Sequence, residues 1–141
     1  MRLCETVTDI LIPFHDVDAM NITWHGHYAK YLEVARCELL DAIGYNYPEM
    51  VASGYSWPVI ELYIRYAQPL RFRQTIQVVS WVEEYEHRLK IKYEIRDQAT
   101  GRRLTKAYTT QAAVCLKTNE MCFESPAVLF ERLGVEAPEL A

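Results

Sequence analysis

No stretch of the 141-residue sequence stays apolar for the roughly eighteen residues that a membrane-crossing helix needs, so no helical span is expected. The first residues do not set a charged region ahead of an apolar run, and no secretory leader is expected either. Cysteine is sparse: Cys4, Cys37, Cys115 and Cys122 form no C-x-x-C pair and have no zinc-ligand spacing. Four free thiols, each buried as a small hydrophobe, in a reducing cytoplasmic compartment are the expectation. An excess of basic charge is also missing. The net charge of -4 argues against a general nucleic-acid binder, which needs a cationic surface to neutralise phosphates. Internal repeats, low-complexity tracts and linkers are absent, which leaves one domain over residues 1–141.

What is present is ordinary globular composition. Hydrophobic residues make up 50 % and charged residues 24 %, so neither disorder nor a fibrous class is favoured. A chain of this length buries most of its unfolded apolar surface without metal or disulfide staples.

From Tyr28 the apolar residues Tyr31, Leu32, Ala35, Leu39, Ala42 and Ile43 recur in steps of three and four, the face of a helix about four turns long. Gly44 stops it. Lys30, Glu33, Arg36 and Asp41 occupy the opposite face, with Glu33 and Arg36 spaced for a surface pair. Pro48 and Gly54 bracket a short helical turn near Glu49 to Ala52. After Pro58 the period falls to two. Ile60 to Tyr66, Ile76 to Val82, Leu89 to Arg96 and Leu104 to Leu116 read as strands, and Thr6 to Ile12 as an earlier one. Leu89, Ile91, Tyr93 and Ile95 alternate with Arg88, Lys90, Lys92, Glu94 and Arg96, the cleanest half-buried strand in the sequence. Gly101 and Asn119 fall in the connecting turns. Ser125 reads as the cap of a last short helix, with Pro126 in its first position and Gly134 at its end.

This order predicts an α+β domain, its helices on one face of a long antiparallel sheet. One helix cannot cover both faces of such a sheet. Ten tyrosines and apolar residues at both strand parities therefore predict at least a homodimer.

The chemistry concentrates in residues 14–28. Asp16 and Asp18, with His15, His25 and His27, lie directly ahead of the long helix. A carboxylate beside a helix start supplies an ionised oxygen as base or nucleophile, and free backbone N–H groups aimed at a carbonyl. The residues alone leave three alternatives. Asp18 is either a reacting group or the acceptor of an Asx turn that shapes the loop. The five polar side chains also admit a divalent metal, although no two histidines have helical i, i+4 spacing. Exposed cations at Arg71 with Arg73, Arg88 with Lys90 and Lys92, and Arg102 with Arg103 either meet a phosphorylated ligand or form solvated faces.

The pattern F-x-D-x-D-A-x-x-I-x-W-H-x-x-Y, followed by an amphipathic helix and by Tyr66-Ala67-Gln68-Pro69-Leu70-Arg71-Phe72, resembles the hotdog-fold acyl-CoA thioesterases of the 4-hydroxybenzoyl-CoA thioesterase and YbgC type. The likeness runs from about Val7 to Pro126. It implies a single hotdog domain, a long central helix wrapped by a five- to six-stranded antiparallel sheet, that hydrolyses acyl-CoA or acyl-carrier-protein thioesters without a cofactor or metal. It implies Asp18 as the catalytic acid and Asp16 in support. It also implies that the backbone of His25 polarises the thioester carbonyl, with Gly26, His27 and Tyr28 beside the substrate. A homodimer assembling into a homotetramer is implied with it. Met20, Asn21 and His27 depart from the family loop, which usually carries glycine at the first two and asparagine or serine at the third. Asparagine tolerates the left-handed backbone that such a turn requires.

Two other functions compete. A hotdog hydratase or dehydratase also sets an acid and a histidine at a helix end, but the His-Phe-Pro-Gly run and the Asp-to-His spacing of about five that mark those enzymes are missing here. A non-catalytic acyl-CoA binding module would use the tyrosine-rich interior alone.

Overall fold

Leu89, Ile91, Tyr93 and Ile95 are each no more than 1 % exposed, while the charged residues between them reach solvent. Strict alternation makes one face of this strand a core face, as its period of two requires. In the computed structural model, which describes residues 2–137, it is the centre of the sheet. The strands are β1 (Leu3–Leu11), β2 (Tyr55–Ser56), β3 (Val59–Tyr66), β4 (Thr75–Glu84), β5 (Leu89–Asp97), β6 (Arg103–Gln111) and β7 (Val114–Cys115). Five of them form an antiparallel sheet in the order β1-β4-β5-β6-β3; β2 and β7 form a separate ribbon. The helices are α1 (Tyr28–Ala42), α2 (Tyr47–Ala52) and α3 (Ala127–Leu133). The α+β expectation holds.

Helix α1 lies across the inner face of the sheet and buries Leu32, Ala35 and Leu39 in one cluster with Val78, Val82, Ile91 and Ile95. Burying a leucine of this kind contributes about 1.5–3 kcal/mol, so this seam fixes the helix on the sheet. Its last turn departs from the expected period: Ala42 is exposed, and Leu40 is buried instead. Beyond Gly44, whose φ of +68° suits glycine, Tyr45 returns into the core with its N–H on the Leu40 carbonyl at 2.9 Å. Leu40 and Tyr45 are thereby buried in the same core cluster. The Arg132 guanidinium of α3 donates to the Gly44 carbonyl at 2.9 Å and ties the two helix ends together.

Three expectations are corrected. The strand over Leu104 to Leu116 is two elements: β6 ends at Gln111, and the buried Ala112 and Ala113 carry the chain off the sheet into β7. Their small side chains permit the close approach, with the Ala112 N–H on the Pro58 carbonyl at 3.3 Å. Ser125 does not cap α3. Pro126 takes the cap position with ψ 154°, its carbonyl accepting the Leu129 N–H, while the buried Ser125 Oγ makes no hydrogen bond. The cysteines are all free, but Cys37 is exposed and the other three are half-buried, so none is the fully buried hydrophobe expected. Elsewhere the turn residues behave as read. Gly101 and Asn119 have φ of +74° and +60°, and α2 opens on a capping box between Asn46 and Glu49.

Because Leu39 is fully buried where α1 meets the sheet, Leu39→Ala should cost about 2–5 kcal/mol. The check is urea unfolding: the midpoint falls, and the dependence on urea is unchanged.

Candidate active site

The segment from Pro13 to Trp24 leaves β1 and returns to the start of α1 as a small hairpin. Val17 bridges Thr23, the Trp24 N–H donates to the Asp16 carbonyl at 3.1 Å, and the Asp18 N–H donates to the Ile22 carbonyl at 2.9 Å. Its tip turns through Asn21 at φ +64°, the left-handed geometry that asparagine accepts. The hairpin is docked on the chain between β3 and β4, where the Thr23 N–H meets the Leu70 carbonyl at 2.7 Å. The loop is therefore held from two sides.

The two aspartates have opposite surroundings. Asp16 is 2 % exposed and accepts from Tyr31 Oη at 2.6 Å and Lys30 Nζ at 2.7 Å, both on α1. Burial alone would push its carboxyl up. The hydrogen bonds from Lys30 and Tyr31, with the fields of Lys30 and His27, outweigh that and hold it below the ordinary carboxylate range. The same burial, and the bond to Asp16, push the Tyr31 phenol upward. Asp18 is exposed. Its Oδ1 accepts the N–H groups of Met20 at 2.8 Å and Ile22 at 3.3 Å, an Asx turn that fixes the carboxylate and leaves Oδ2 without a protein donor among the described residues.

After the hairpin, His25–His27 form one 3-10 turn that runs into α1. The His27 N–H is the first used by that turn, on the Trp24 carbonyl at 3.0 Å, so the N–H groups of His25 and Gly26 are its free amino end. A Cβ on Gly26 would lie 2.2 Å from the far edge of the Trp24 ring, so a larger residue there requires the half-exposed indole to swing aside. Tyr66, at the end of β3, donates to the His25 carbonyl at 3.1 Å and packs edge-on against Tyr28 at 4.7 Å. Asp18, Trp24, His25, Tyr28, Tyr66 and Gln68 line one cleft of about 360 Å³.

Of the residues singled out from sequence, Asp18, His25 and Tyr28 come together in this cleft, with Gly26 next in the chain to His25. Asp16 and His27 lie beneath it, the His27 ring nitrogen 3.7 Å from Asp16 Oδ1. His15 is a surface residue, 78 % exposed. Among the described residues no three histidine, cysteine or acidic side chains converge as a metal ion would need; the Lys30 ammonium is the cation beside Asp16. Sequence reasoning assigned no role to Tyr66, Gln68, Trp24, Lys30 or Tyr31. The Tyr66 to Phe72 run carried a signal for the first two. Nothing local marked Lys30, which reads as an ordinary polar-face lysine.

A long helix across a five-stranded antiparallel sheet, with a carboxylate loop at the helix's amino end, is the hotdog class of fold. Residues 12–139 match the family model of the thioesterase-like superfamily, and the chain belongs to that superfamily. It is 32 % identical over 77 residues to YneP of Bacillus subtilis, a candidate acyl-CoA thioesterase by name, across 55 % of this chain and 56 % of YneP. The matched segments span little more than half the length of the curated relatives. Among solved structures, the DHNA-CoA thioesterase of Staphylococcus aureus superposes with TM-score 0.75 at 28 % identity, over 84 % of this chain and 80 % of that one. The hypothetical protein TT1821 of Thermus thermophilus superposes at 0.78 and 28 %, over 91 % and 96 %.

Because Asp16 has a lowered pKa in the folded protein, its stabilisation is full above the unfolded value of about 3.9 and is lost as pH falls through the folded value. Asp16→Asn should be less stable than the parent at neutral pH, with the gap narrowing below about pH 4. Urea unfolding across a pH series measures this; a gap that does not change with pH would contradict it.

Proposed function

We propose that the protein hydrolyses an acyl-CoA thioester to the free acid and CoA, within the 4-hydroxybenzoyl-CoA thioesterase and YbgC branch of its superfamily. One observation carries the reading: the carboxylate of Asp18 and the amino end of the His25 turn open on the same cleft. The thioester carbonyl oxygen sits at the N–H of His25, with Gly26 beside it, where partial positive charge meets the oxyanion as it forms. Asp18 Oδ2 then either takes a proton from the attacking water or attacks the carbonyl carbon, giving a mixed anhydride that water opens. In both routes the thiolate leaves with a proton and the acid is released. Tyr28 and Gly26 border the substrate; Asp16 and His27 support the loop from below. The DHNA-CoA thioesterase likeness, and the name of YneP, support the CoA thioester as the substrate class. Four free cysteines fit a reducing cytoplasm.

The Asx turn makes the test sharp. Asn at position 18 keeps an acceptor for the Met20 and Ile22 N–H groups but removes the charge; Ala removes both. Asp18→Asn should lower kcat on acyl-CoA by about a hundredfold or more with unfolding stability near that of the parent, whereas Asp18→Ala loses stability as well. Free-thiol release from a panel of aromatic and fatty acyl-CoAs is the assay. Turnover that survives Asp18→Asn would sink this mechanism, and a parent protein that binds but never releases thiol is a binding module. His25→Ala keeps the N–H and should cost less than tenfold, roughly.

The assembly belongs to the same reading. Strand β3 is one of the sheet's two edges, β1 being the other, and Val59, Ile60, Leu62, Tyr63 and Tyr66 on it are 39–50 % exposed. An edge of this length with apolar side chains on both faces pairs with a second copy, antiparallel, about a twofold axis. Two such dimers then associate as a tetramer. Leu62→Asp should lower the mass measured by light scattering below that of four chains, and an unchanged mass would place the interface elsewhere.

A further inference from the structure

The cleft that holds Asp18 is the middle of three. Asp18 also lines a second cleft of about 460 Å³, whose other walls are Phe14, Val17, Ala19, Asn21 and Phe72. Phe14 and Phe72 meet there edge to face at 5.6 Å, and Phe14 is 75 % exposed. At Ala67 the middle cleft adjoins a third, of about 160 Å³, lined by Arg65, Arg103 and Lys106 and sharing no residue with the Phe14 and Phe72 cleft. Ala67 lies one residue past the end of β3, where the chain rounds the sheet's edge. Arg65 and Lys106 are cross-strand partners, so their side chains leave the sheet on the same face. Neither forms a salt bridge among the described residues. Arg103 is 3.8 Å from Glu94, a carboxylate already held by Arg96 at 2.6 Å. No acidic residue lines the third cleft.

Apolar, catalytic and cationic clefts thus adjoin in that order, with the reacting carboxylate between the first and second. A CoA thioester has the same order of parts: apolar acyl group, thioester, amide-bearing arm, phosphates. Resting on the thioesterase reading, we propose that the substrate lies in one direction only, its acyl group between Phe14 and Phe72 and its phosphates at Arg65, Lys106 and Arg103. Tyr66 and Gln68 flank the arm between them. Exposed guanidinium and ammonium groups bind phosphate strongly because each adds charge and directed N–H donors. In the opposite direction no cation lines the cleft. Arg71 and Arg73 flank Phe72, but Arg73 leans over the Phe72 ring at 5.2 Å, and neither residue lines the 460 Å³ cleft.

Two thioesters of one acyl group separate the ends: the CoA ester and the N-acetylcysteamine ester, which carries no phosphate. The parent should show a lower KM for the CoA ester. In the Arg65→Ala/Lys106→Ala double variant that advantage should shrink about tenfold, the worth of one good phosphate contact. Phe14→Ala/Phe72→Ala should leave the advantage in place and lessen the preference for bulky over acetyl groups. Calorimetry provides a reading independent of turnover: CoA binds more tightly than pantetheine, and the double variant and added salt each reduce the margin. An undiminished margin in the double variant overturns the proposal. So does its loss in Arg71→Ala/Arg73→Ala instead, which would reverse the substrate. A parent protein that hydrolyses no thioester fails the activity reading separately, because the calorimetric margin is still measured.

Discussion

The buried carboxylate of Asp16 is the contact on which the site depends. Removing a carboxylate from water is costly unless donors replace the water, and Tyr31 and Lys30 of α1 supply them at 2.6 and 2.7 Å. The loop and the helix are thereby fastened across a separation of fourteen residues. Both halves of the candidate site hang from that point. Two residues beyond Asp16 is Asp18; one turn before Lys30 is the free amino end at His25. Their relative position is set by Asp16 more than by either of them.

The division of work between two neighbouring aspartates follows from solvent. Asp16 is saturated with donors, held ionised and closed to substrate, so its charge is committed to structure. Asp18 meets water and spends one oxygen on two backbone N–H groups. The Asx-turn reading and the reacting-group reading are compatible, because the turn consumes Oδ1 and orients Oδ2. A carboxylate held by its own loop needs little reorganisation as charge shifts in the reaction, which is where preorganised sites gain over water.

The parts of the fold legible in the sequence are those governed by short periods. Alternation placed β5, spacing of three and four placed α1, and glycine or asparagine marked the turns at Gly44, Gly101, Gly134 and Asn119. What escaped depends on contacts between distant residues. Leu40 is buried in one cluster with Tyr45, Ala112 leaves β6 with its N–H on the Pro58 carbonyl, and Tyr66 reaches the His25 carbonyl across forty-one residues. The site was legible as a cluster, and its sorting was not: nothing in the spacing separates a buried Asp16 from an exposed Asp18, because the difference comes from Lys30 and Tyr31. Those two read as an ordinary surface lysine and an ordinary core tyrosine.

Strand β3 gathers consequences that the sequence disperses. Because successive side chains point to opposite faces, Tyr66 turns inward to hold the His25 turn while its neighbour Arg65 turns outward beside Lys106. The backbone between them is one of the sheet's two edges. A slip of one residue in the pairing of β3 with β6 would exchange these faces, withdrawing Tyr66 from the helix start and Arg65 from the cationic cleft together. The register is pinned from Glu61 opposite Thr110 to Tyr66 opposite Thr105, with the only irregularity at the far end, between Val59 and Glu61. The strand is thus most regular where it borders the site. Its exposed edge and its inward tyrosine belong to one rigid element, so whatever orders that edge also orders the helix start against which a carbonyl would lie.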